Sequence, residues 1–243
     1  MKLENQLAIV TGAGVRVGRA IALALADAGM NVAVHYAHSK EEADATVAEI
    51  RKRGRTSESF EAALDEPGEP EKLMDAIVAK MGVPHVVVNS AAIMQRTPFG
   101  EVTYESWEAT MNLNLRAPFF LSQAAAKVMS TSGGVIINIA DLAAFETWSG
   151  FIPHSISKAG VVQMTRALAH ALGPKIRVNA VAPGVVMLPE DWPQDSAQRL
   201  IDTTPLKRLG TPNDVTQALL YLVRAEYVTG ETIIVDGGRH VRK

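Results

Sequence analysis

The chain reads as a Rossmann-like, doubly wound α/β protein, a parallel sheet of about seven strands with helices on both faces, in a single domain over residues 1–243. Two observations predict this. Short β-rich apolar runs alternate with longer amphipathic stretches, which is the rhythm of βαβ units with right-handed crossovers. The short runs are apolar almost continuously, as expected of parallel strands covered on both sides.

In chain order, residues 7–10 (Leu-Ala-Ile-Val) open the sheet, and a glycine-rich turn leads into a helix over 16–28. A second strand over 31–35 feeds a helix over 40–53, with Ser39 at a capping position. Strands over 56–62 and 85–89 flank a helix over 70–81 that begins with Pro70. A long helix is expected over 104–129, then a strand over 134–140. The helix over 151–172 carries Pro153 in its first turn, where a missing backbone donor costs little. The strand over 176–182 is followed by the least regular segment, 185–195, which carries two prolines and reads as a loop covering a substrate. A helix over 212–223 and a strand over 232–235 complete the order.

Composition removes several function classes. The 24 Lys and Arg nearly cancel the 26 Asp and Glu, so no overall field recruits nucleic acid or an anionic membrane. With 0 cysteines, disulfides, thiolate catalysis and sulfur-ligated metals drop out, and the 6 histidines form no His-x-x-x-His pair, so no metal is expected. No apolar run has membrane-spanning length, and the first residues lack a basic segment followed by an apolar core; a cytoplasmic protein acting on a small molecule is the expectation.

Ligands of doubly wound sheets bind beyond the carboxyl ends of the strands, where Gly12, Asn89, Asp141 and Pro183 all fall. The turn from Val10 to Gly18 (VTGAGVRVG) has glycines that let a backbone approach a pyrophosphate, at the start of a helix that attracts its charge. Arg16 adds a cation there. After the second strand, His35-Tyr36-Ala37-His38-Ser39-Lys40 contains no carboxylate to bind a free adenosine ribose and repel a 2′-phosphate, which favours NADP(H) over NAD; His38, Ser39 and Lys40 offer donors to that phosphate.

The chemistry-bearing set is Asp141, His154 and Lys158. On a helix, residues four apart share a face, so His154 and Lys158 project together toward a carboxylate at the end of the preceding strand. Proton transfer needs such groups with displaced acidities, supplied by mutual charge and partial burial.

These residues, in this order, resemble the classical short-chain dehydrogenase/reductase family over nearly the whole chain. Thr11 to Gly18 matches its glycine-rich turn, Asn89-Ser90-Ala91-Ala92 its Asn-Asn-Ala-Gly segment and Asn114 its active-site asparagine, while Pro183-Gly184 and Val235-Asp236-Gly237-Gly238 match later signatures. Within the family the chain is similar to pteridine reductases: Arg16 stands at the usual middle glycine, the run around His35-Tyr36 and Ser39 agrees, and Asp141 takes the usual serine position. Met94 where a pterin-stacking aromatic is usual, and Ala63 where an aspartate is usual, depart from that subtype.

The resemblance implies NADP(H) held by Gly12, Gly14, Arg16, Val17, Gly18, His38, Ser39, Leu64, Asn89, Ala91, Lys158, Pro183 and Gly184. It implies a substrate between Met94, Asp141 and Trp192, and catalysis by Asn114, Asp141, His154 and Lys158, with Asn114 anchoring a water that feeds Lys158. The family's tyrosine proton donor is replaced by His154. An imidazole titrates near 6.5 against about 10 for a phenol, so acidity is no obstacle. Lys158 and an oxidised nicotinamide disfavour imidazolium while an ionised Asp141 favours it, so the sign rests on geometry. The ring is also shorter than a phenol, and one water would bridge the gap. Two readings stay open: a reductase that delivers hydride to C=N or C=O with His154 as proton donor, and a protein that binds NADP(H) without transferring hydride.

In relatives the helices corresponding to 104–129 and 151–172 form a subunit interface, so a homotetramer, or a homodimer, is expected. Light scattering of the purified protein should give about four chain masses; a monomeric mass contradicts the expectation.

Overall fold

The computed structural model describes residues 2–188 and 194–241. Strands β1 (Leu7–Val10), β2 (Asn31–Tyr36), β3 (Ser57–Glu61), β4 (Val86–Asn89), β5 (Gly134–Ile139), β6 (Ile176–Pro183) and β7 (Thr232–Val235) form one parallel sheet in the order β3-β2-β1-β4-β5-β6-β7. The order reverses between β1 and β4, so a cleft opens above their carboxyl ends.

Both faces of the sheet's centre are buried, which is why β1 is apolar throughout and β4 up to Asn89, whereas the edge strand β3 is mostly polar. Ala8 and Val10 face the side covered by Ile21 and Leu25 of α1 (Arg16–Asp27), Ile50 of α2 (Lys40–Lys52) and Leu219 of α8 (Pro212–Arg224). Their neighbours Leu7 and Ile9 belong to the opposite core, with Leu73 and Ile77 of α3 (Glu69–Met81) and Leu121 of α5 (Ala117–Val128). Alternation between faces thus puts every residue of β1 in a core.

Most element ends move by one or two residues from the sequence reading, and two differences are larger. The helix expected over 104–129 is broken into α4 (Tyr104–Met111), a π turn over Asn112–Arg116, and α5. Pro118 has no N–H for the carbonyl four residues back, that of Asn114, so the ladder slips a residue and the Ala117 N–H bonds Asn112 instead. Secondly, residues 185–188 are irregular as expected and 189–193 lie outside the described residues, but a helix not expected from the sequence, α7 (Gln194–Thr203), begins at the end of that segment; its polar opening hid its period until Ala197, Leu200 and Ile201. The last long helix of that half, α6 (Ile152–Leu172), does begin with Pro153 in its first turn.

The turn after β1 is locked to α1 by contact. A Cβ on Gly18 would lie 2.1 Å from the Gly12 carbonyl oxygen, so only glycine lets the helix start this close to the turn. Gly18→Ala should lower the unfolding free energy by about 1–3 kcal/mol, read from urea denaturation, since the clash is with backbone that cannot swing aside.

Candidate active site

Asn114 is the anchor of the site. The π turn points its side chain inward, 2% exposed. There the Asn114 Oδ1 accepts from the Ile93 N–H at 2.9 Å and its Nδ2 donates to the Ile93 carbonyl at 2.9 Å and to Ser157 Oγ at 3.1 Å. One amide thus fixes the chain beyond β4 and joins it to α6. That chain segment is tied to the start of α6 a second time, where the Thr97 N–H donates to the Gly150 carbonyl at 2.8 Å.

His154 sits in the first turn of α6, buried, with Nδ1 3.2 Å from the same Ile93 carbonyl and 3.4 Å from Asn114 Nδ2. Both hydrogens of the amide already have nearer acceptors, so Nδ1 carries hydrogen and donates to Ile93; the tautomer is assigned from these partners. Nε2 then faces Asp141 Oδ2 at 3.6 Å, buried and without a hydrogen bond. Asp141 follows β5 and caps a short 3-10 turn, Leu142–Ala144, with Oδ1 accepting from the Ala143 N–H at 2.7 Å; its other oxygen is thus left for His154 and for solvent, since the side chain is 24% exposed.

Lys158, one turn after His154, is 4% exposed and donates from Nζ to the Ile139 carbonyl at 2.8 Å. Burial pulls its pKa from the ordinary 10.5 to about 8, against the opposing pull of Asp141. The carboxylate, imidazole and ammonium therefore do gather at the end of β5, as their spacing predicts. The imidazole lies behind Asp141, however, and presents no open nitrogen of its own.

At the other end of the cleft, the turn residues Gly12, Gly14, Arg16, Val17 and Gly18 lie between β1 and α1. Arg16 has φ +51°, a left-handed conformation that favours glycine, which accounts for the glycine most relatives carry there. Its guanidinium does not stand free for a phosphate; it donates to the Met187 carbonyl at 2.8 Å and links the turn to the segment after β6. Ser39 occupies the N-cap of α2 but makes no capping bond, and His38 beside it is exposed, whereas Lys40 pairs with Asp44 at 2.5 Å.

Asn89 turns its amide inward, to Asn138 Oδ1 at 2.8 Å and Ser122 Oγ at 3.1 Å, and so braces β4 against β5 and α5 rather than reaching into the cleft. Leu64 and Ala91 flank the cleft floor with Thr11, whose hydroxyl accepts from the N–H groups of Ser90 and Ala91 at 2.9 and 3.0 Å. Pro183 ends β6, and Gly184 donates to the Val235 carbonyl at 2.9 Å. Met94 is half exposed, and Trp192 lies outside the described residues.

Sequence reasoning passed over Ile93, whose two backbone groups hold both Asn114 and His154, and the imidazole of His35, which accepts from the Gly12 N–H at 3.1 Å. Ile93 carries no side-chain signal; His35 was visible only as one polar residue in an apolar strand. Among the described residues no helix is long and apolar enough to cross a membrane, and no group of three or more His, Asp or Glu is placed to hold a metal.

The family model described as Enoyl-(Acyl carrier protein) reductase matches residues 12–240. The chain is 37% identical to a 3-oxoacyl-[acyl-carrier-protein] reductase of Synechocystis sp. (strain ATCC 27184 / PCC 6803 / Kazusa), over 97% of each chain. Among solved structures it is similar to a blue fluorescent protein from a metagenomic library in complex with NADPH (TM-score 0.92, 34% identity, 98% and 99% of the two chains). It is likewise similar to the angucycline C-6 ketoreductase LanV with bound NADP (TM-score 0.92, 29% identity, 99% and 97%). With a family model matched over residues 12–240, a relative 37% identical over 97% of each chain and solved structures superposing over almost their whole length, the chain belongs to the classical short-chain dehydrogenases/reductases, a family of NAD(P)-dependent oxidoreductases.

Proposed function

We propose that this protein is an NADP(H)-dependent reductase of C=O or C=N groups in small molecules, in which Asp141 meets the substrate and His154 supplies protons from behind it. The observation that carries the reading is the His154 ring held by Ile93 through Nδ1, with Nε2 directed at Asp141 Oδ2 at 3.6 Å.

The residues of the cleft fit the dinucleotide. A Cβ on Gly14 would come within 3.1 Å of Ser39 Oγ and 3.2 Å of the Ala43 nitrogen, so glycine lets the turn pack directly against the start of α2, beside Ser39. Ser39 and His38 stand ready for a 2′-phosphate, and no carboxylate of the Tyr36 to Lys40 stretch opposes one. Arg16 would have to exchange Met187 for the phosphate. NADP bound in two similar structures supports the same assignment. Gly12, Gly14, Val17, Gly18 and Ala91 would line the dinucleotide with backbone, Leu64, Pro183 and Gly184 would bound it, and Lys158 would hold the nicotinamide ribose.

When bound, NADPH supplies the hydride that reduces the substrate carbon. The proton for the adjacent oxygen or nitrogen comes from Asp141 Oδ2, whose O–H bond breaks as the substrate heteroatom gains hydrogen. A proton returned from solvent to the pair lodges on His154 Nε2, a lone pair in the neutral ring, and passes from there to Asp141 Oδ2, leaving the ring neutral with its Nδ1–H on Ile93. Solvent, reaching the exposed part of Asp141, returns a proton to the pair. Asn114 positions His154 by holding Ile93 in place. The names of the relatives favour a ketone or 3-oxoacyl substrate. Arg16 in the middle-glycine position and Asp141 in the serine position favour a pterin, and Met94, half exposed, leaves that pocket wall adaptable.

We take residues 1–243 as one functional unit, cytoplasmic, that assembles as a homotetramer. Phe119 and Phe120 lie at the mouth of an apolar groove of about 450 Å³ lined also by Met111, Leu115 and Met164, a surface suited to a second copy.

NADPH oxidation should be followed with a 3-oxoacyl thioester, small ketones, quinones and dihydropterins. Asp141→Asn should lower kcat by about 10²–10⁴-fold on the best substrate, and His154→Ala by about 10²-fold, with KM for NADPH little changed. Rates untouched by both variants defeat the assignment. Tight NADPH binding without turnover on the panel, and turnover in His154→Tyr, would instead establish the binding-protein reading, which the enclosed Nε2 favours.

Lys158 gives a second test. In the folded chain its pKa is about 8 against 10.5 unfolded, so a buried charge costs about 3 kcal/mol below pH 8, and the cost fades as pH rises to 10.5. Lys158→Met should therefore be more stable than the parent at pH 7, by a margin that shrinks toward pH 10.5 in chemical denaturation, while losing turnover.

A further inference from the structure

We propose that His35 is a positioning residue for the dinucleotide: its imidazole and its own carbonyl hold the first two amides of the glycine turn, and so aim the amides that follow at the cofactor. The inference rests on the reading of this turn as the NADP(H) site.

His35 lies near the end of β2 and is 2% exposed. Its Nδ1 accepts from the Gly12 N–H at 3.1 Å, its Nε2 lies 3.0 Å from the Ala62 carbonyl, and its own carbonyl accepts from the Ala13 N–H at 2.9 Å. The partners dictate the tautomer, because an amide only donates and a carbonyl only accepts: hydrogen sits on Nε2 and the lone pair on Nδ1. Burial pulls the pKa of the ring down to about 4, partly offset by the Ala62 carbonyl, so this neutral form prevails near neutral pH.

The arrangement divides the amides of the turn. Those of Gly12 and Ala13 are consumed inside the protein, and the first-turn amides of α1, which no helix can pair internally, are left for an anion. Without the acceptor at Nδ1, the half-buried Gly12 N–H would have to rotate to find another partner, and the turn would lose the pitch that presents its later amides. Bonding to Ala62, just past β3, passes no information to the turn and serves only packing. The two ring nitrogens therefore have separable jobs, one for ligand binding and one for stability.

Two substitutions separate them. Asparagine places its Oδ1 near the position of Nδ1 and keeps the acceptor for Gly12, whereas glutamine places its Nε2 near the ring Nε2 and keeps only the donor to Ala62. NADPH affinity of the full chain, from the quenching and shift of NADPH fluorescence, is measured beside the thermal midpoint of the apo-protein. In His35→Gln the Kd should rise about tenfold, the worth of one buried hydrogen bond, while in His35→Asn it stays within about threefold, with both variants losing stability. Equal weakening in the two, or none in either, overturns the proposal and leaves the cofactor reading standing; a parent chain that does not bind NADPH overturns both. Hydrogen exchange of the Gly12 amide in the parent gives a check that needs no variant: slow exchange is expected, and exchange at the rate of an open amide overturns the proposal.

Discussion

Parallel strands that all stop at one rim leave their last backbone groups without a ladder partner, and the functional edge of this protein is organised by side chains that satisfy them. Lys158 pairs the Ile139 carbonyl at the end of β5, His35 pairs the Ala62 carbonyl just past β3, and the hydroxyl of Thr11 takes the N–H groups of Ser90 and Ala91 beyond β4. Asn114 and His154 do the same for Ile93. An unpaired buried backbone group costs about as much as a lost hydrogen bond, so these partners are tied to their places by the fold itself. Chemistry at the rim comes from groups that are already serving the architecture.

That double duty explains the electrostatics. Lys158 and His35 are both drawn below their ordinary pKa by burial, yet with different results. His35 ends neutral near pH 7, its two nitrogens matched to one donor and one acceptor. Lys158 at about 8 still carries its proton at neutrality, so a charge is kept in the interior at a cost to stability. Asp141 offsets part of that cost, which couples the ammonium to the carboxylate that also faces His154.

The position of His154 decides which group of the site faces outward. The imidazole stands behind Asp141, anchored through Nδ1 to the Ile93 carbonyl. Its remaining nitrogen is enclosed, and the exposed part of the dyad is the carboxylate.

The sequence by itself determined the sheet, the alternation of helices and the strand-end positions of Gly12, Asp141 and Pro183, because hydrophobic patterning is local and the central strands β1, β2, β4, β5 and β6 carry it. It also placed His154 and Lys158 on one helical face, since the spacing of α6 is fixed by backbone geometry. What it did not determine was set by contacts between distant segments. The helix over 104–129 carried no expected irregularity, and only the structure showed the π turn before Pro118 that turns Asn114 inward toward Ile93. Arg16 and Asn89 had the composition of ligands, yet Arg16 is bonded to Met187 and Asn89 to Asn138, partners 171 and 49 residues away. Which nitrogen of His154 is free, and what stands before it, is likewise a property of Ile93, Asn114 and Asp141 together. A hydrogen bond is decided at a few ångströms and a few tens of degrees, and those are fixed only when the whole rim is assembled.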